Sequence, residues 1–198
     1  MNDEIRSARE IAMAKIAAME EATESDRLKW KYVPDGEQMA LRFINEGQEI
    51  TSALAALPEA ARRYAASGAE NVLLSNIQVP RNETIAARNN LAMDGMVALK
   101  MDKAAVTDLL NRLKQILEHY VGQGAEQRQR TYETLKQQYE ARLKQAADKL
   151  GAGHDEALGI SVETLPQFKE EWRHVSSQME GQYIQLIEEY KRELRLVK

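Results

Sequence analysis

Glu171 and His174 stand three residues apart, a step that puts a carboxylate and an imidazole on one helix face, as di-iron and di-manganese bundles require. Such a centre needs a second Glu-x-x-His step and two further glutamates. The other nearby candidate is Glu118 beside His119, and adjacent helical residues point in different directions. His154 has no spaced partner. An ordinary surface histidine is therefore the expectation for His174, with no metal site and no cofactor. Gly151-Ala152-Gly153 has no preceding strand and no following Gly-Lys-Ser/Thr, so it reads as a turn rather than a phosphate loop. Glu20, Glu21, Glu24 and Asp26 lack the spacing of a calcium loop. The chain has no cysteine, which removes thiol nucleophiles, disulfides and Cys-ligated metals. With few serines and no paired histidine, no nucleophile and base emerge, and no catalytic residue is assigned.

A weaker chemical signal lies between Glu126 and Lys149. Arg128, Arg130, Lys136, Arg142, Lys144 and Lys149 exceed Glu126, Glu133, Glu140 and Asp148 by two, with Tyr132 and Tyr139 interleaved. Charge with stacking is how single-stranded RNA is held. Mixed charge is also the normal solvated face of a long helix, and both tyrosines belong to an apolar stripe, so nucleic acid is the lesser reading.

The elements that must position these residues are helical. Ile5, Ala8, Ala12, Ile16 and Met19 recur at three- and four-residue steps and predict a helix over about Asp3 to Ala22. Trp30 to Gly36 reads as an extended linker anchored by aromatics, because Pro34 disfavours helix at Val33 and Asp35-Gly36 is turn chemistry. A helix from near Asp35 carries Met39, Leu41, Phe43 and Ile44 and weakens at Gly47; Ile50, Leu54 and Leu57 continue to Pro58. A helix from Pro58 runs to Ile77, and after Pro80 another spans Ile85 to Met101, with Asn82 or Asp102 as caps.

From Asp102 to Leu150 no proline occurs, and an unbroken helix there would be ~73 Å long. A compact globule of this chain length is only ~42 Å across. The helix must bend or protrude, and Gly122 and Gly124 are its weak points. Val106, Leu109, Leu110, Leu113, Ile116, Leu117 and Tyr120 form a broad apolar face; Tyr132, Leu135 and Tyr139 are followed eleven residues later by Leu143, Ala146 and Leu150. Thr164 and Gln167 form a capping-box pair opening a last helix, whose stripe includes Phe168, Trp172, Val175, Met179, Tyr183, Leu186, Ile187, Tyr190 and Leu194. The connector, Gly151 to Glu163, offers Leu158, Ile160 and Val162 to tuck under a turn. The fold class expected is all-α: a helical bundle with a long antiparallel, coiled-coil-like hairpin at the C-terminal end. Residues 1–101 would form a helical core and 102–198 the hairpin, in one domain overall.

Composition agrees with a folded, non-membrane protein: 198 residues, 29% charged, 43% hydrophobic and a formal net charge of −4. No apolar run approaches the ~20 residues that cross a bilayer, and Met1 to Arg9 has no apolar signal core. A cytoplasmic location is expected.

Ser7-Ala8-Arg9-Glu10-Ile11-Ala12, followed by Trp30-Lys31-Tyr32-Val33-Pro34 and Gly36, resembles the start of an uncharacterised bacterial all-helical family, a domain of unknown function. The resemblance implies a match over most of the chain and a bacterial cytoplasmic origin, with no activity, ligand or site residues attached.

The functional expectation is a non-enzymatic interaction or assembly protein. A helical pair outrunning its own core leaves apolar positions for a protein partner or a second copy, such as a homodimer. Tyr132, Tyr139, Phe168, Trp172, Tyr183 and Tyr190 are the candidate interface anchors, with intramolecular packing as their competing role. The alternatives are a bundle binding a metal or small ligand near Glu171 and His174, and an RNA- or ribosome-contacting face between Arg128 and Lys149.

Overall fold

The computed structural model describes Arg9, Met13 and residues 22–150 and 161–198. The stripe from Ile5 to Met19, the Ser7 to Ala12 motif, and the connector residues 151–160 with His154, Leu158 and Ile160 lie outside the described residues, Arg9 apart. Most of the described residues, 87%, are helical, no strand occurs among them, and they fall into two compact units. One comprises residues 1–76 and 90–103; the other comprises 77–89 and 104–198.

The first unit is built from α1 (Glu24–Glu46), α2 (Ile50–Ala55), α3 (Glu59–Asn76) and the second half of α4 (Glu83–Leu99). Thr23 starts α1 with a capping box: its hydroxyl accepts from the Asp26 N–H while the Asp26 carboxylate accepts from the Thr23 backbone. The Thr23 hydroxyl also donates to that carboxylate at 2.6 Å and holds its pKa below the ordinary value. Gly47 ends α1 in the left-handed region, φ 71°, and its N–H returns to the carbonyls of Arg42 and Phe43.

The extended linker expected over Trp30 to Gly36 is wrong: those residues are helical, with Pro34 inside α1. Proline there removes one backbone bond and crowds the preceding turn. Tertiary packing overrides this local preference. A Cβ on Gly36 would lie 1.8 Å from the Ala65 carbonyl oxygen, and one on Gly68 2.0 Å from that of Val33, so α1 and α3 touch backbone to backbone. Ala40, Ala61, Ala65 and Ala69 are buried with no exposed area, completing a small-residue seam that permits this approach. Leu73, Leu74, Met93 and Met96 fill the remaining core. Lys100 is nearly buried and pairs with Glu70 at 2.8 Å, as a buried cation must to offset its lost hydration.

The second unit contains the first half of α4, α5 (Lys103–Val121, from residue 104), α6 (Gln123–Leu150), a 3-10 turn (Val162–Thr164) and α7 (Pro166–Leu196). Asn82 caps α4 by accepting from the Ile85 N–H at 2.9 Å. Asn89, 1% exposed, clamps the Gln78 backbone, accepting from its N–H at 2.9 Å and donating to its carbonyl at 2.7 Å. The expected capping box at Thr164 is not formed. Thr164 donates instead to the Ser161 carbonyl, and Pro166 takes the first position of α7 behind Leu165. Proline suits that position, since its missing N–H would lack a helical partner anyway.

Only Gly122 separates α5 from α6, and the 47 helical residues they contribute form one bent run. Of the expected apolar face of α5, Val106, Leu110, Leu113, Leu117 and Tyr120 are buried, while Leu109 and Ile116 are half-buried. Tyr120 meets Tyr183, Tyr132 meets Trp172, and Tyr139 meets Phe168, so partners on α7 fall in number as those on the bent run rise.

Candidate interaction groove

The bend gathers side chains from three helices of the second unit. Gly124 is buried, and a Cβ there would lie 2.4 Å from the Tyr183 hydroxyl, so only glycine lets α7 come this close. That hydroxyl hydrogen-bonds His119 Nδ1 at 2.9 Å, and the Tyr183 ring packs edge-on against Tyr120 with centroids 5.1 Å apart. Arg128 stacks on the other partner of the pair, 3.9 Å from the Tyr120 ring centroid, and donates to the Tyr120 carbonyl at 3.0 Å. That carbonyl sits where the helical ladder breaks, so Arg128 supplies the donor that a continuing helix would have provided. Burial raises the Tyr120 pKa, with the Arg128 charge opposing. Arg81 and Glu180 form a 2.5 Å ion pair in the same unit.

Beside this knot a groove of about 520 Å³ opens between α5 and α7. Its α5 wall is Arg112, Gln115, Ile116 and His119, spaced so that all four share a helix face. Its α7 wall is Gln182, Tyr183, Leu186 and Tyr190, also one face, and Gln127 contributes from α6. Leu186 remains 40% exposed. Among the described residues the lining has two aliphatic side chains, two phenols, three carboxamides, an imidazole and a guanidinium, and no carboxylate. Arg112 pairs with Asp108 one turn away at 2.8 Å, both well exposed.

The six expected anchors separate into two groups. Tyr183 and Tyr190 line the groove. Phe168, 2% exposed, is instead the centre of a cluster with Leu135 and Val162, against which Tyr132, Tyr139 and Trp172 pack. Tyr132 and Tyr139 meet Phe168 edge-on at 5.5 and 5.4 Å, and their hydroxyls point outward to acids: Tyr132 donates to Glu163 at 2.9 Å, Tyr139 to Glu171 at 2.6 Å. Lys136 joins Glu163 at 3.0 Å. Hydrogen bonds from Lys136, first, and Tyr132 lower the Glu163 pKa, and the same bonds to Glu163 raise those of Lys136 and Tyr132. Phe168 thus presents no surface to a partner, whereas Tyr183 and Tyr190 do.

Glu171 and His174 are not brought together with further ligands. Glu171 receives the Tyr139 hydroxyl, His174 is exposed, and among the described residues no group of three or more His, Asp or Glu is placed to hold a metal. On the basic face, Arg130 pairs with Glu126 at 3.4 Å, Lys136 with Glu163, and Arg142 lies 5.2 Å from the Tyr139 ring centroid. The sequence pattern places Ile116 on the apolar face of α5 but does not single out Arg112, Gln115 and His119 as one wall with it. The signal for that wall was the spacing of Arg112, Ile116 and His119 beside a buried stripe, which becomes meaningful only once α7 is placed next to it.

A family model described as a family of unknown function, DUF6657, matches residues 51–196, and the chain belongs to that family. No curated protein and no solved structure matches the chain. Among the described residues, no helix is long and apolar enough to cross a membrane.

Proposed function

We propose, starting from membership of a family without an assigned function, that the chain is a non-enzymatic interaction or assembly protein whose α5/α7 groove accepts a helix of another polypeptide. The carrying observation is the groove itself: two walls, each of helical spacing, with Leu186 on the α7 wall still 40% exposed. A third helix fills such a channel by setting its apolar stripe on Ile116 and Leu186, the common mode of helix-in-groove recognition. Tyr183 and Tyr190 serve as aromatic anchors at its edge. In this reading α6 and α7 are the antiparallel arms of a coiled-coil-like hairpin, supported by the falling order of their contacts, and the bend at Gly122 brings α5 beside α7. The simplest occupant is a second copy, giving a homodimer in the cytoplasm.

Light scattering coupled to size-exclusion chromatography tests this. A stable multiple of 22.4 kDa that Leu186→Glu returns to a single chain, with helical content retained, supports assembly through the groove. A multiple that survives both Leu186→Glu and Tyr190→Ser removes the groove as the interface. A single-chain mass in the native protein removes self-assembly and leaves a different polypeptide as the occupant.

A further inference from the structure

The geometry points to an acidic amphipathic helix as the occupant of the α5/α7 groove, one whose apolar stripe is flanked by carboxylates. This rests on the helix-accepting reading and adds the chemistry that selects the partner. The charge pattern carries it. Nine residues from three helices line the groove without one carboxylate, although the chain as a whole is net acidic, with a formal charge of −4. Among the described residues the one permanent charge in the lining is the Arg112 guanidinium, and on the same wall stands His119. A lysine-flanked helix would bring cations against Arg112 with no acid in the lining to receive them. A glutamate-flanked helix finds a guanidinium, carboxamide N–H donors and the phenols of Tyr183 and Tyr190.

Asp108 already contacts Arg112, but this does not exclude a second acid. The pair is an exposed i,i+4 contact, side chains 60% and 61% accessible, and such pairs are weak. A guanidinium carries five N–H donors and bridges two carboxylates readily. A partner carboxylate delivered with an apolar stripe is shielded from water as it docks, which strengthens its attraction relative to the exposed Asp108. Like-charge contact in the wrong partner supplies the discrimination.

The test uses the full chain and two synthetic helical peptides of about 20 residues. Both carry the same Leu/Ala stripe, flanked in one by glutamate and in the other by lysine, and binding is followed by fluorescence anisotropy. The expected result is an acidic peptide bound about tenfold more tightly, a preference that Arg112→Glu reverses and Leu186→Glu abolishes for both peptides. Arg112 is exposed, so its replacement leaves the fold intact, which far-UV circular dichroism verifies. Equal affinity for the two peptides, or a preference for lysine, overturns the charge inference and leaves the helix-accepting reading standing. No binding of either peptide, at protein concentrations where light scattering gives a single-chain mass and no second copy fills the groove, overturns both. Binding of the acidic peptide that Leu186→Glu does not weaken places it elsewhere on the chain and overturns the inference.

Discussion

The hydroxyl of Tyr183 stands where a side chain on Gly124 would begin, 2.4 Å from an ideal Cβ at that position. The ring is fixed by Tyr120 on one side and by the His119 hydrogen bond on the other, and the His119 carbonyl lies 3.0 Å from the same Cβ. Gly124→Ala gains about 1 kcal/mol of helix propensity against an overpacking cost of about 1–3 kcal/mol. With the neighbours pinned, overpacking wins. Urea unfolding is expected to show Gly124→Ala destabilised by about 1 kcal/mol, and Tyr183→Phe in the same chain to recover part of the loss, a coupling that a double-mutant cycle reads directly. Gly122→Ala meets only the Glu118 carbonyl at 3.4 Å and is expected to be neutral or stabilising.

The α1/α3 crossing gives a harsher version of the same experiment. At Gly36 and Gly68 the obstacles are the backbone carbonyls of Ala65 and Val33, which cannot rotate away. Either glycine replaced by alanine must push two helices apart, at a cost expected to exceed about 3 kcal/mol. Gly181, in α7, has nothing within 4 Å of an added Cβ, so Gly181→Ala is the control and is expected to stabilise by about 0.5–1 kcal/mol. Equal denaturation midpoints for all three variants would show that the backbone contact is not made in solution.

Glu163, Lys136 and Tyr132 form a network whose members shift in opposite directions. The lowered carboxylate pKa of Glu163 means that its contribution is present above the ordinary glutamate range and fades as pH falls through the lowered value. Lys136 and Tyr132 are raised, so their contributions are present below their ordinary values and fade as pH rises through the raised ones. A carbon-detected NMR titration is expected to place Glu163 below an exposed glutamate. Lys136→Met should restore more of the ordinary value than Tyr132→Phe, since the Lys136 bond is the larger cause. An unchanged midpoint in both variants would remove the network.

Much of the helical architecture was legible in the chain because its signals are local. The length of the run after Asp102 left a bend or a protruding arm, with Gly122 and Gly124 as the weak points, and the run bends at Gly122. Asn82 caps α4 as its position implied. What failed was local chemistry overruled from a distance: Pro34 and Gly36 look like a turn, and only the approach of Ala65 and Gly68 makes helix the better state. Of the groove, Tyr183 and Tyr190 were visible as aromatics on a stripe, but stripe membership does not distinguish a core residue from a lining one. Phe168 belongs to the same stripe and is buried. The α5 wall and the acids Glu163 and Glu171 depend on contacts between residues more than twenty positions apart, which no helical period encodes.

That division within one stripe sets the last prediction. Phe168 is 2% exposed and is held edge-on by two tyrosine rings, so Phe168→Ala leaves a cavity and is expected to cost about 3–5 kcal/mol. Tyr190 lines the groove and is only partly buried, so Tyr190→Ser should cost well under half as much. If the groove is an interface, the order reverses for binding: Tyr190→Ser weakens association by about tenfold or more, since an aromatic anchor at such a site is worth over 1 kcal/mol. Phe168→Ala should leave association intact at temperatures where the variant remains folded. Parallel measurement of thermal midpoint and solution mass separates the two effects. A Tyr190 variant as unstable as the Phe168 variant would mean that Tyr190 is a core residue, and that the open side of α7 is narrower than the groove implies.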